Sequence, residues 1–207
     1  MKKYIIYFFG ILLIALGISL SGFHGLGASP YDTITLNLSL VTNISAGYFI
    51  FIFNAIFLIL YFTKFKNKDI FVSIIVLFTL SSLVNLFIYL LSSNWINLQI
   101  NYIWQRILFF ILSFFANAFG VSLIENTKVS KSAFECFVTF INKTVLKKVS
   151  YSSSRVIVEL VFTLIGACIG LVFLRNISNA NIGTIIYIVG SGPMIGVFMK
   201  ILPDFSR

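Results

Sequence analysis

Two short segments, Ala15-Leu-Gly-Ile-Ser-Leu20 and Ala118-Phe-Gly-Val-Ser-Leu123, lie 103 residues apart and decide how the chain is organised. Four of the six letters are identical, and the other two replace one apolar side chain with another. The alignment continues without a gap into polar positions, pairing Ser29 with Ser132, Tyr31 with Phe134 and Asp32 with Glu135. We interpret the match as an internal duplication.

The two copies share one order of elements, which is an apolar span, a short helix and two further spans. We therefore predict a single membrane domain over residues 1–207, with repeat 1 at about residues 4–91 and repeat 2 at about residues 103–202. Three spans are an odd number, so the second copy must cross the membrane upside down relative to the first. Inverted repeats are typical of many secondary transporters, whose sites lie near the midplane where the halves meet.

The apolar stretches predict a membrane protein. The chain is 59% hydrophobic and 10% charged, whereas soluble domains carry about 25% charged residues. Six stretches come close to the ~20 residues that a spanning helix needs. They cover residues 4–22, 46–62, 70–91, 103–124, 154–174 and 183–202. The predicted fold class is all-α, a polytopic membrane protein with the lipid bilayer as its main partner.

The basic residues predict the orientation. With the N-terminus in the cytoplasm, 13 of the 15 Lys and Arg residues fall on the cytoplasmic side, and only Arg106 and Arg175 fall outside. Cytoplasmic loops of membrane proteins are enriched in Lys and Arg. We therefore expect a bacterial plasma-membrane protein with both termini cytoplasmic. The same distribution accounts for the net charge of +9 without a nucleic-acid partner.

Two connections between spans are predicted to be short helices. In the first, Ser29 is a good N-cap, Pro30 suits the first helical position and Asp32 lies in the first turn. The second is the apolar piece of residues 133–145, flanked by lysines. Each helix is too short to span, so it is either re-entrant or interfacial. Helix N-termini offer unpaired N–H groups and partial positive charge to a ligand.

The residues at the first short helix carry a family resemblance. Gly-Leu-Gly-Ala-Ser-Pro-Tyr-Asp-Thr (residues 25–33) resembles the signature of the YczE/YyaS/YitT family of bacterial integral membrane proteins. Residues 152–159 and 183–196 are similar to the closing helices of its YczE-like branch. The resemblance covers most of the chain and implies a fold rather than an activity. The second half departs from the family, because residues 129–135 lack the glycines and proline of the turn that relatives often repeat there.

Candidate ligand-binding residues fall in three places. They are Gly25, Gly27, Ser29, Pro30 and Asp32 at the first short helix, Arg155 and Glu159 in the fifth span, and Gly192 and Pro193 in the sixth. Glycines allow close backbone approach, and a carboxylate at a helix start can contact a cation. Arg155 and Glu159 lie one turn apart and can pair, and ionisable groups in spans are often functional. The alternatives are a capped interfacial helix and a structural ion pair.

Further residues are expected to serve packing. The glycine pairs 166/170 and 192/196 have the small-xxx-small spacing that favours close contact between helices. Pro193 is expected to kink or break the sixth span, and His24 is expected to be a polar loop residue. Four amides should form hydrogen bonds between helices, namely Asn54, Asn85, Gln105 and Asn117.

No catalytic, cofactor or metal site is predicted. Cys136 and Cys168 form no CxxC pair, and His24 is the only histidine, so a zinc site made by the protein alone is not expected. Ser191 in its Gly-Ser-Gly setting has no nearby base to activate it. We therefore do not expect an enzyme.

The leading hypothesis is a small-solute transporter or permease-like protein. No obvious clamp for phosphate and no deep cluster of carboxylates is present, which favours a neutral or zwitterionic solute. The alternatives are a substrate-binding membrane subunit of an energy-coupling-factor-like transporter and a non-transporting scaffold or regulator. One possible partner is a second copy of the chain, in a homodimer. A cytoplasmic protein bound at the segment from Lys128 to Lys148 is the other.

Overall fold

The computed structural model describes residues 2–65, 70–93, 100–177 and 179–205, which are helical and contain no strand. In chain order the helices are α1 (Lys2–His24), α2 (Pro30–Thr42), α3 (Ala46–Lys64), α4 (Ile70–Ser92), α5 (Ile103–Thr127), α6 (Ala133–Thr144), α7 (Tyr151–Ile169) and α8 (Ile182–Ile201). A π-helical turn, Gly170–Leu174, extends α7.

Six of these helices, all except α2 and α6, are long and apolar enough to cross a membrane. They coincide with the predicted spans to within a few residues at each end. Their outer faces carry apolar side chains, for example Ile75, Leu164 and Val189, which are 66%, 65% and 71% exposed. Lipid solvates such side chains whereas water does not. The chain is therefore a polytopic α-helical membrane protein, as predicted.

Both short helices begin with the same cap. The Ser29 hydroxyl oxygen accepts a hydrogen bond from the Asp32 N–H at 3.3 Å, and α2 starts at Pro30 as predicted. The Ser132 hydroxyl oxygen accepts one from the Glu135 N–H at 3.2 Å at the start of α6. These caps are the positions that the sequence alignment pairs.

Helices α1 and α5 cross so closely that their backbones touch. A Cβ added at Gly17 would lie 2.9 Å from the Ser113 carbonyl oxygen, and one at Gly120 would lie 2.8 Å from that of Gly10. From Gly10 to Gly17 in α1, the facing residue in α5 changes from Gly120 to Ser113, so the two helices are antiparallel. With the 103-residue offset, Gly17 corresponds to Gly120 and Gly10 to Ser113. The two contacts are therefore counterparts.

The other helix pairs follow the same pattern. Helix α2 packs on α7 and α3 on α6, while α1 packs on α4 and α5 on α8. The hydroxyl of Ser19 donates to the Val84 carbonyl, and the hydroxyl of Ser122 donates to the Ile195 carbonyl, both at 3.3 Å. Each bond joins the first span of one half to the last span of that half.

The glycine-packing prediction is confirmed at one pair of positions and wrong at the other. A Cβ on Gly166 would collide with Thr33, and one on Gly170 would lie 2.6 Å from the Asn176 carbonyl oxygen. At Gly192 and Gly196 nothing in the described chain lies within 4 Å. Helix α8 also continues unbroken through Pro193.

We expect Gly120→Ala to lower the free energy of unfolding by about 1–3 kcal/mol, because the new methyl group overpacks against the backbone of α1. Denaturant titration of the detergent-purified protein measures the change. Gly192→Ala is the matched control, since it adds the same methyl group to a helix where space is open. Equal effects of the two substitutions would contradict the close crossing.

Candidate functional site

A cavity of about 160 Å³ lies among the helices, at the crossing of α1 and α5. Its walls come from α1, α3, α4, α5, α7 and α8 and from the first turns of α2 and α6. Most of the lining is apolar, for example Ile14, Leu80 and Val121. An apolar cavity of about 150 Å³ holds a molecule of benzene, so the space suits a small organic molecule.

The structure brings five of the predicted site residues together at this cavity. They are Ser29, Pro30, Asp32, Arg155 and Glu159. The two short helices therefore begin inside the bundle rather than lying along its surface.

The other four predicted site residues lie outside the cavity lining. Gly25 and Gly27 form the turn before α2, with φ of 67° and 113°, a region that favours glycine. A Cβ on Gly27 would also lie 2.8 Å from the Thr184 N–H nitrogen. Gly192 and Pro193 are exposed on α8.

Asp32 is a buried carboxylate with one oxygen unused. Its side chain is 2% exposed and lines the cavity. The Ser29 hydroxyl donates to Oδ2 at 2.6 Å, whereas Oδ1 has no hydrogen-bond partner. Burial raises the pKa of the Asp32 carboxyl to about 7, and the hydrogen bond from Ser29 opposes that rise. When it is ionised, the Asp32 carboxylate lacks the counter-ion or second hydrogen bond that offsets the cost of burying a charge.

The corresponding carboxylate in the second half is fully paired. Arg155 Nη1 donates to Glu135 Oε1 at 2.5 Å, and the Tyr151 hydroxyl donates to Glu135 Oε2. Arg155 Nε donates to Glu159 Oε1 at 3.0 Å. The predicted pairing of Arg155 with Glu159 is confirmed. The bond to Glu135 was not predicted, although the repeat alignment, which pairs Glu135 with Asp32, marked Glu135 as the counterpart of a predicted site residue.

A buried polar chain lies at one end of the cavity. His24 is fully buried at the end of α1, so its prediction as a loop residue is wrong. Its Nδ1 accepts the Leu26 N–H at 3.1 Å, which assigns the proton to Nε2, 3.3 Å from the Ser113 hydroxyl. The Tyr187 hydroxyl lies 3.2 Å from the same Ser113 oxygen and lines the cavity. Tyr187 gave no signal in the sequence.

Main-chain hydrogen bonds join the segment before α2 to the segment at the start of α8. The Ala28 N–H donates to the Asn179 carbonyl at 2.8 Å, and the Gly183 N–H donates to the Leu26 carbonyl at 2.7 Å. We call this set of contacts, between residues 26–28 and residues 179–183, the latch. Beside it, the Asn37 amide donates to the Gly166 carbonyl at 2.8 Å.

A second cavity of about 220 Å³ adjoins the first near the start of α6. The two share Ser73 and Lys131 in their linings. Glu125 and Lys128 also line the second cavity, which lies at the lysine-rich end of the bundle.

The fold and the cavity define a polytopic membrane protein with an internal cavity between its helices. Residues 1–200 match the family described as "Family of unknown function (DUF6198)", and the chain belongs to that family. It is 25% identical to "Uncharacterized protein YyaS" of Bacillus subtilis (strain 168) over 200 residues, covering 97% of this chain and 94% of that protein. No solved structure matches the chain. The similarity to YyaS agrees with the resemblance seen at residues 25–33.

We expect Arg155→Met to lower the free energy of unfolding by about 3–5 kcal/mol, because it leaves Glu135 and Glu159 buried without their counter-ion. Lys128→Met is the matched control. It breaks the ion pair between Lys128 and Asp204, whose side chains are 65% and 53% exposed, respectively. This substitution should change the free energy of unfolding little. Denaturant titration in detergent compares the two. A mild effect at Arg155 would mean that its ion pairs do not hold α6 to α7.

Proposed function

We propose that the protein is a small-solute transporter, permease-like, with its binding site in the central cavity. The observation that carries this proposal is where the cavity lies. It is built at the antiparallel crossing of α1 and α5, where the first turns of both short helices meet. Discontinuous helices that begin at a site between two halves are typical of secondary transporters.

The proposal includes two inverted repeats related by an approximate two-fold axis. The counterpart rings Tyr31 and Phe134 lie 6.2 Å apart, as expected for residues close to such an axis. Tyr31 lies 5.7 Å from Phe57, tilted by 56°, and Phe134 lies 6.0 Å from Phe162, tilted by 54°. An axis that relates antiparallel spans is perpendicular to them, so it lies in the plane of the membrane. In this arrangement α2 and α6 are re-entrant helices from opposite faces.

The orientation follows from the charge distribution. With the segment from Lys128 to Lys148 in the cytoplasm, the latch lies on the outer side of the membrane. The second cavity then lies between the first cavity and the cytoplasm. Lys66, Lys68 and Arg207, also counted as cytoplasmic, lie outside the described residues. The described conformation then corresponds to an inward-facing state of a protein in the bacterial plasma membrane. Such a protein moves a solute without a chemical step and needs no resident cofactor.

Crosslinking the latch tests the transport cycle. Ala28→Cys with Asn179→Cys, in a background where Cys136 and Cys168 are replaced by alanine, places two thiols at a main-chain contact of 2.8 Å. Uptake by proteoliposomes is measured with a panel of labelled amines, amino acids, sugars and carboxylic acids. We expect oxidation of the two thiols to abolish uptake and reduction to restore it. The single-cysteine variants are the controls. Wild-type uptake by the oxidised double variant, or no uptake of any solute by the unmodified protein, would reject the proposal.

A second candidate is a membrane subunit that works with a cytoplasmic partner, either an energy-coupling ATPase or an enzyme held at the membrane. The favouring observation is a surface of exposed residues at the end of α6 and just after it. It contains Lys143, Lys147 and Lys148 together with Val145, which is 68% exposed. Exposed apolar and basic residues side by side suit a protein contact. The same surface could instead join two copies of this chain in a homodimer, without another protein.

Charge reversal separates the two candidates. If a partner is needed, Lys143→Glu, Lys147→Glu and Lys148→Glu together should abolish uptake by cells and remove any protein that copurifies. The matched control is Lys2→Glu with Lys3→Glu, which reverses basic residues away from α6. Uptake by proteoliposomes of the purified protein alone, unchanged by the triple substitution, would instead favour a transporter that works by itself.

A further inference from the structure

The unused oxygen of Asp32 gives the cavity a chemical preference. We propose that the cavity takes a small organic cation, whose ammonium group binds Asp32 Oδ1 and whose apolar body is about the size of benzene. This inference rests on the proposed function, because it names the class of solute for the same site.

The charges around the cavity lack one cation. Three carboxylates line it, and two of them, Glu135 and Glu159, share Arg155. The third, Asp32, receives only the hydroxyl of Ser29 on one oxygen. The remaining charged lining residue, Lys131, is exposed. With every lining carboxyl ionised, the described lining residues therefore sum to three negative and two positive charges, and Asp32 is the carboxylate without a basic partner.

The comparison of the two halves shows why this cation is missing. When Phe57 of α3 is placed opposite Phe162 of α7, Ile50 falls at the position of Arg155. Ile50 is fully buried and its carbonyl accepts the Tyr31 hydroxyl at 3.2 Å. The first half thus keeps the carboxylate of the pair and replaces its arginine with an apolar side chain. A ligand can supply the positive charge that the second half supplies itself.

The rest of the lining selects an organic cation over a metal ion. Aromatic rings of Tyr31, Phe114, Phe134 and Tyr187 contribute to the wall, and ring faces attract ammonium groups. In the described residues no group of three or more His, Cys, Asp or Glu side chains could hold a metal ion. A hard cation without such ligands would keep its water, and the apolar lining does not solvate it. The proposal differs from the neutral or zwitterionic solute expected from the sequence, because the sequence alone did not show that Asp32 is buried with one oxygen unpaired.

The test measures equilibrium binding to the detergent-purified full chain with four ligands that share one phenyl ring and differ in charge. They are benzylammonium, uncharged benzyl alcohol, anionic benzoate and zwitterionic phenylglycine. We expect benzylammonium to bind most tightly. Asp32→Asn should weaken it by about tenfold or more, since the substitution removes the charge partner of a buried ion pair. The same substitution should leave benzyl alcohol unchanged.

Asp204→Asn is the matched control, because it removes a carboxylate that pairs with Lys128 and is 53% exposed. It should not change the affinity for benzylammonium. The cation site is overturned if benzyl alcohol, benzoate or phenylglycine binds at least as tightly as benzylammonium. It is also overturned if Asp32→Asn leaves benzylammonium binding intact. If Asp32→Asn fails to fold, the ligand series on the unmodified protein decides by itself.

Flux through proteoliposomes keeps the two proposals apart. Binding of benzylammonium that depends on Asp32, without uptake of any solute, would retain the cation site and reject transport. Uptake of an uncharged or anionic solute, without binding of benzylammonium, would retain transport and reject the cation site.

Discussion

The backbone contact between α1 and α5 is the constraint on which the rest of the structure depends. Gly17 and Gly120 lack the side chains that would hold the two helices apart. Because apolar side chains are solvated equally well by lipid and by protein, close packing is a main source of attraction between helices in a bilayer. The crossing therefore fixes where the two halves meet, and the first turns of α2 and α6 reach the cavity only because it lies there.

The two halves use one arrangement with different charges. Capping serines, aromatic rings and short helices recur in both, but Arg155 neutralises the second half alone. A charge in a low-dielectric interior needs a partner. Asp32 is consequently the lining carboxyl that no basic side chain of the described residues neutralises. The two halves therefore differ most clearly in this one basic residue.

Much of the fold could be predicted from local patterns. Apolar runs of about 20 residues determine the spans, and Ser29 and Pro30 determine where α2 begins, because both signals act over a few residues. The site was predictable only in part. The bond from Arg155 to Glu135 joins residues 20 apart on two helices. Buried His24 contacts Ser113, which lies 89 residues further along the chain. Such contacts depend on how helices are placed, which spacing along the chain does not encode.

The glycines show the same limit from the other side. The pairs 166/170 and 192/196 share one spacing, yet only the first meets another helix. Small residues permit close approach without causing it, since the approach also needs a partner on the facing surface. In α7 that partner is Thr33 of α2.

The latch consists of bonds between main-chain atoms of residues 26–28 and residues 179–183. Substitution of most side chains there leaves the bonding atoms in place, whereas the cavity is defined almost entirely by side chains. The main-chain contacts of the latch and the side chains that line the cavity thus belong to separate parts of the chain. Evolution can therefore change the lining of the cavity residue by residue while the hydrogen bonds of the latch stay the same.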